Sequence, residues 1–546
     1  MRTPIVIAAV LGLIGIAAIA VRAVAANVNG CSGGIRLTVA AAPEVEPAVR
    51  EAAARWAQST PRVNGQCVGV QVRAAEPADV ANLLAARAGG SINVAADPAP
   101  TPSDADVPVV WIPDSTSWIV RMQTVNRETF EPEAPSVALS PVVFAMPEAL
   151  AAGTKRPIGP AELLGLLQKV GAGTVKVAAV EPRRSSASLV GAALLRDAIV
   201  TDAKKLVDMV RAYRAVNVAP DTGTLLKSAA PNQVAPTSEQ AVLTFANGDA
   251  APAVPLVAVP IEPVIALDYP YAIVSGKPRA VIEAAEQFRT ALAGDANLDV
   301  FAKRGFRAPD GTTGAGFPVG HGASAEQVLA QPFADPAKVA DVLSNWTATK
   351  SPSRVLTLVD VTASMNKPIV VKGGAASRLD VLRKTAVDGL RLFTDDSQLG
   401  LWAFADDHRE VVPVGDLGAA QRGRLTTAVN AASATASDVC GLYEAVLAAY
   451  KSLKAGYQEG RSNTVVVFTD GANNKPGMTK EQLELELERA TDPTRPIRVV
   501  LLGIGPEVDQ AELDEIAQRT GGKAFSVQDP EQIGTIFLEA LLRSNS

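Results

Sequence analysis

The chain has 546 residues, too many for one ordinary domain, and its 48% hydrophobic, 20% charged and 4% aromatic content is that of Ala/Val/Leu-rich globular protein rather than disorder. A formal charge of −6 lacks the basic footprint of a nucleic-acid binder, so no nucleic-acid partner is expected. Only two histidines, His321 and His408, are present, which argues against a His-ligated zinc centre and against a His-dependent hydrolase.

Between Arg2 and Arg22 the stretch Thr3 to Val21 carries no charge, close to the about 20 apolar residues a membrane-spanning helix needs. Residues 1–26 are therefore expected to be a transmembrane anchor or a signal sequence. Ala23-Val24-Ala25 before Ala26 satisfies the small-x-small cleavage rule, while the length of the run favours an uncleaved anchor. Either way both large domains are expected outside the cytoplasm, membrane-tethered by a single pass or secreted after cleavage. Export would let Cys31 and Cys67, which bracket the first strand and helix of the exported region, form a disulfide. Closing that loop is worth about 3 to 4 kcal/mol on chain-entropy grounds. Cys440 is then the odd thiol.

Residues 34–307 alternate short apolar runs with amphipathic stretches. Ile35 to Ala40 reads as a strand, Val45 to Trp56 as a helix, and further strands are predicted at Val68 to Val72, Val107 to Ile112, Val137 to Ala145 and Val175 to Val180. This is βα alternation and predicts an α/β domain. Residues 308–350 read as a linker, turn-rich from Pro309 to Gly322. Residues 351–546 form a second βα series, with strands at Val355 to Val359, Leu399 to Phe404, Thr464 to Phe468 and Ile497 to Ile504. Helices are predicted at Arg378 to Phe393, Gly441 to Leu453, Thr479 to Ala490 and Asp509 to Thr520.

Two of those later strands end in carboxylates. Leu356-Thr357-Leu358-Val359 runs into Asp360, followed by Thr362 and Ser364, and Val465 to Phe468 runs into Thr469-Asp470-Gly471. Oxygen-bearing side chains at alternate positions past a buried strand converge on one point, where a hard divalent cation could use them. Sites of this kind lie outside the C-terminal ends of parallel strands. The same residues could serve as helix caps.

With these residues in view, 351–546 resembles a von Willebrand factor type A domain, a doubly wound, Rossmann-like fold. The family's metal-ion-dependent adhesion site combines a D-x-S-x-S motif with a later Thr and a later Asp. Asp360, Thr362 and Ser364 match the first part, with Thr for the first Ser, and Asp470 matches the last. The Thr position, in a T-x-L-Y pattern, is here Cys440-Gly441-Leu442-Tyr443, and a thiol is a softer, larger donor than Mg²⁺ prefers. Thr435, Ser437 or Asp438 in the preceding loop could supply an oxygen instead. The resemblance implies a divalent cation, Mg²⁺ first and Mn²⁺ or Ca²⁺ as alternatives, with an open position for a carboxylate of a protein partner. His408, in Asp406-Asp407-His408, reads as a solvated surface residue.

Residues 34–307 resemble a bacterial extracellular solute-binding protein of the two-lobed periplasmic kind, on the stretches Leu37 to Pro43, Val110 to Trp118, Ser140 to Ala145, Leu267 to Tyr271 and Arg304 to Arg307. In such receptors a small-molecule solute lies between the lobes at strand-end loops and helix N-termini, whose free N–H groups favour anions. Ala42, Pro43, Asp114, Ser115 and Ser117 are placed at that cleft. The reading is a non-enzymatic, membrane-tethered binding protein working through a metal-dependent adhesion-type site. Its rival is a solute receptor delivering a small molecule to a permease.

Overall fold

The structure, a computed structural model, describes residues 33–92, 94, 106–199, 213–248, 253–350, 352–371, 374–390, 393, 395–471, 473–492 and 495–527. The proposed anchor or signal of residues 1–26, and Cys31, lie outside the described residues. Among the described residues no helix is long and apolar enough to cross a membrane. The chain divides into two compact units: residues 1–162, 175–191 and 217–340, and residues 163–174, 192–216 and 341–546.

The first unit holds β1 (Gly34–Ala41), β2 (Arg62–Val63), β3 (Gln66–Ala74), β4 (Val110–Ile112), β5 (Ser140–Pro147), β6 (Lys176–Val180), β7 (Asn217–Ala219), β8 (Gln233–Ser238), β9 (Leu256–Pro260), β10 (Ile265–Leu267), β11 (Ala272–Ile273) and β12 (Gln331–Pro332). They form two sheets. One runs β11-β4-β1-β3-β2, with β1 parallel to both β3 and β4; the other runs β12-β10-β5-β8-β6-β7, with β9 also on β5. Leu37 and Val39 of β1 are fully buried, as a central parallel strand covered on both faces requires. The chain crosses from the first sheet to the second after β4, returns between β10 and β11, and crosses once more to reach β12.

Arg307 closes this unit. It is 1% exposed, and its Nε and Nη2 donate to Glu239 at 2.7 and 3.1 Å. The same guanidinium donates to the carbonyls of Glu326 at 2.6 Å and Ser324 at 2.8 Å, pinning the turn-rich segment that follows. Residues 308–350, expected as a linker, are thus structured. They carry β12, which pairs with β10, and the helix Pro336–Lys350, whose Trp346 packs on Tyr213 at 5.4 Å.

The second unit holds β13 (Ser353–Asp360), the hairpin β14 (Pro368–Val371) and β15 (Gly374–Ser377), then β16 (Gln398–Phe404), β17 (His408–Asp416), β18 (Ser462–Thr469), β19 (Ile497–Ile504) and β20 (Lys523–Val527). The main sheet runs β17-β16-β13-β18-β19-β20, parallel except for the edge strand β17. The chain leaves β13 for β16 on one side and later returns to β18 on the other, so the strand order reverses at the C-terminal ends of β13 and β18. That is where a doubly wound sheet opens a crevice. Leu356, Leu358, Val465, Val467, Val499 and Leu501 pack beneath it against the helix Leu442–Ala455.

Candidate functional site

In the second unit β13 and β18 are in register Val359 to Phe468, which brings Asp360 beside Thr469 at the sheet lip. Asp360 is fully buried and both its oxygens are engaged. Oδ1 accepts from Thr362 N at 2.9 Å and Thr362 Oγ1 at 2.7 Å; Oδ2 accepts from Thr469 Oγ1 at 2.8 Å and faces Cys440 Sγ at 3.7 Å. Thr362 Oγ1 in turn shares a hydrogen bond with Ser364 Oγ at 2.8 Å. Asp360, Thr362 and Ser364 are therefore linked through Thr362 Oγ1, and Cys440 joins them from 80 residues away. Burial raises the Asp360 carboxyl above the ordinary range; the Asp470 charge adds to this, while the Thr362 and Thr469 hydrogen bonds oppose it. Burial, then the charges of Asp360 and Asp470, push the Cys440 thiol far up, so it stays protonated.

Loops fix these groups. Gly441 precedes the helix Leu442–Ala455, and a Cβ there would stand 2.6 Å from the Asp406 carbonyl, so only glycine lets the helix start so close to that loop. The segment after Asp470 caps the same helix: Asn474 Oδ1 accepts from Cys440 N at 2.7 Å and Asn473 Oδ1 from Tyr443 N at 3.2 Å. The loop 435–438 is tied to the loop that follows β13 through Thr435 N to Val361 O, 2.7 Å, and Ala363 N to Ser437 O, 2.9 Å. Of the oxygens suggested as substitutes, Thr435 Oγ1 donates to Ser437 O and Ser437 Oγ accepts from Val439 N, both at 3.1 Å, so both serve their own loop. Asp438 is exposed.

Asp470 has a partner that the spacing of the motif did not predict. Arg378 Nη1 donates to Asp470 Oδ2 at 3.0 Å, and Nη2 pairs with Glu507. Among the described residues no group of three or more His, Cys, Asp or Glu side chains is placed to hold a metal. The hydroxyl-rich half of the donor set, Asp360 with Thr362 and Ser364, fits a small hard cation; a neutral thiol and a carboxylate already facing a guanidinium do not. His408 is exposed as expected, yet it begins β17 and stacks on Trp402 at 5.1 Å.

In the first unit a cavity of about 390 Å³ opens among strand-end loops of both sheets. Pro43 and Asp114 line it. The other three residues placed there do not line it: Ala42 N donates to Ile112 O, Ser115 Oγ caps the helix Thr116–Val125 by accepting from Ser117 N, and Ser117 Oγ bonds Ser186 Oγ. The spacing of the motifs missed Glu44, Glu76, Asp221 and Arg184. Glu44 and Glu76 sit just past β1 and β3, so the rule that placed Pro43 could have found them.

The expected anion-favouring lining is not what the cleft presents. Four carboxylates face it, and Arg184 is committed to Asp79 at 2.7 Å. Burial, then the Asp114 charge, raises Glu44 to about 8. Burial raises Asp114 to about 6 against the hydrogen bonds from Ser186 and Trp118. Asp114 Oδ1 accepts from both, at 2.8 Å each.

Residues 37–307 match the family description "Bacterial extracellular solute-binding protein" and residues 355–539 match "von Willebrand factor type A domain". Among solved structures, the chain is similar to a von Willebrand factor type A protein from Catenulispora acidiphila, at 16% identity over 36% of this chain and 43% of that one, TM-score 0.30. It thus spans less than half the length of that protein. It is also similar to BatB from Bacteroides thetaiotaomicron, at 17% identity over 35% of this chain and 98% of that one, TM-score 0.28. A third likeness is to the substrate-binding protein of an ABC transporter from Agrobacterium tumefaciens, at 11% identity over 57% and 95%, TM-score 0.39. No curated protein matches the chain. The chain therefore joins a domain of the bacterial extracellular solute-binding protein family to a von Willebrand factor type A domain.

Proposed function

We propose that the protein is an extracytoplasmic binding protein, tethered by residues 1–26, whose von Willebrand factor type A domain engages a protein partner through a divalent cation, Mg²⁺ first. The observation that carries this reading is the grouping of Asp360, Thr362 and Ser364 at the switch point of the sheet, with Thr362 Oγ1 2.7 Å from Asp360 Oδ1 and 2.8 Å from Ser364 Oγ. A cation held there supplies a positively charged coordination position for a partner's carboxylate. The residues of the chain do the rest. Thr469 and the Thr362 amide hold Asp360 in place, and the loop 435–438, tied to residues 361 and 363, shapes the rim on which a partner would dock. Nothing in this arrangement pairs a nucleophile with an oriented base, which is why binding rather than turnover is proposed. Pull-down from extracytoplasmic extract with the full chain tests it. Partner capture lost on adding chelator and lost in Asp360→Ala supports the reading; capture indifferent to both contradicts it.

The solute-receptor reading is favoured by one observation, the cleft itself. Its 390 Å³ volume lies within the usual range for small-molecule sites, and its carboxylate lining suits an amine-bearing solute over an oxyanion. Thermal-shift assays of the full chain with small polyamines and with sulfate decide between the charges. Stabilisation by sulfate alone would reject a cationic solute.

A further inference from the structure

We propose that Arg378 gates the cation site of the second unit. This rests on the cation reading above. Arg378 is the first residue of the helix Arg378–Leu390, where a positive charge opposes the helix dipole, so helix stability does not explain it. Its side chain is 3% exposed and spans two acids: Asp470, 5% exposed, and Glu507, 55% exposed. A slot is built for it. Gly505 has φ +117, and a Cβ there would stand 2.9 Å from the guanidinium Cζ and Nε. The Nε itself is buried without a hydrogen-bond partner, so the guanidinium is held by its two terminal nitrogens alone.

Two consequences follow from charge. The guanidinium already compensates Asp470, so a divalent cation entering beside Asp360 meets a fixed positive charge and competes for the same carboxylate. Two like charges in a buried site repel strongly. Glu507, half in solvent, offers the guanidinium a place to withdraw to while remaining paired. The geometry therefore points to two arrangements of one arginine: bridging Asp470 and Glu507, which opposes the cation, and resting on Glu507 alone, which admits it. A partner that supplies a carboxylate biases the equilibrium toward the second arrangement by binding only the cation-loaded site.

Calorimetric titration of the full chain with Mn²⁺, with Asp360→Ala as the blank for sites elsewhere such as the acidic cleft, tests the gate. Arg378→Met keeps the apolar stem, removes the competing charge and should tighten Mn²⁺ by at least about tenfold. Glu507→Gln, a substitution of a half-exposed side chain, removes the withdrawal point and should weaken Mn²⁺ by a similar factor. A merely structural arginine predicts no such opposed pair. Equal Mn²⁺ affinity in the parent and in either folded variant overturns the gate while leaving the cation reading intact. Should Arg378→Met fail to fold, Glu507→Gln decides alone. No heat beyond the Asp360→Ala blank in parent or variants overturns both.

Discussion

Cys440 Sγ stands 3.7 Å from Asp360 Oδ2 and is itself buried, at the position where the family's adhesion site carries a threonine. A protonated thiol facing a carboxylate donates only a weak hydrogen bond and offers a hard cation no oxygen. Cys440→Thr replaces it with a hydroxyl oxygen of similar reach. We expect Mn²⁺ or Mg²⁺ affinity to rise about tenfold, read by calorimetry on the full chain. The parent thiol, held protonated, should resist alkylation at pH 8 until the protein is unfolded. Ready labelling of the native protein would contradict the buried placement.

The cleft acids make the first domain's stability depend on pH. Unfolded, Glu44 loses its proton near its ordinary value of 4.5, whereas in the fold, facing Asp114, Glu76 and Tyr269, it keeps it up to about 8. Across that window the folded state binds more protons than the unfolded state, so stability present below the unfolded value is lost as pH rises through 8. Asp114 acts in the same direction over the narrower window from 3.8 to about 6. The thermal midpoint of this domain should fall from pH 5 to 8.5, and Glu44→Gln should flatten the part above pH 6. Parallel curves for parent and variant would count against a raised Glu44.

How much of this was legible in the sequence depended on burial. β13, β16, β18 and β19 are central strands covered on both faces, and such strands read as uninterrupted apolar runs, so their predicted limits fall within two residues of the observed ones. β17 escaped because it is an edge strand whose residues are mostly exposed, beginning in the polar Asp406-Asp407-His408 that reads as a turn. The helix Ala419–Ala431 escaped because it buries only Gln421, Leu425 and Val429 and has almost no apolar face. In the first domain the antiparallel pairings of β5 with β8, β9 and β10 join distant segments and have no local signature. For the sites, Asp360, Thr362 and Ser364 are local and were readable. Arg378 lies 92 residues from Asp470, and a lone arginine at a helix start announces nothing.

Arg307 and Glu239 form a buried bidentate pair. Arg307→Met strands the Glu239 charge and frees the carbonyls of Ser324 and Glu326, which should cost about 3 to 5 kcal/mol. Urea denaturation of the first-domain transition measures it, and adding Glu239→Gln should recover part of the loss. A change below about 1 kcal/mol would mean that the pair is solvated, as exposed pairs are.

Cys440 is the free cysteine among the described residues, and Cys67 sits at the start of β3 opposite Gly34 of β1. We expect peptide mapping without reductant to recover Cys31 and Cys67 in one bridged fragment, and their reduction to lower stability by about 2 to 5 kcal/mol. A bridge from Cys440 to either would require its burial beside Asp360 to be wrong.

The central claim is that Asp360 anchors a divalent cation, and titration of the full chain with Mn²⁺ tests it most directly. The account predicts saturable binding in the parent that disappears in Asp360→Ala and is strongly weakened in Asp470→Ala, with the metal-free thermal unfolding of Asp360→Ala within a few degrees of the parent and that of Asp470→Ala lowered by the loss of its buried pair with Arg378. Indistinguishable titrations of the parent and Asp360→Ala would contradict it.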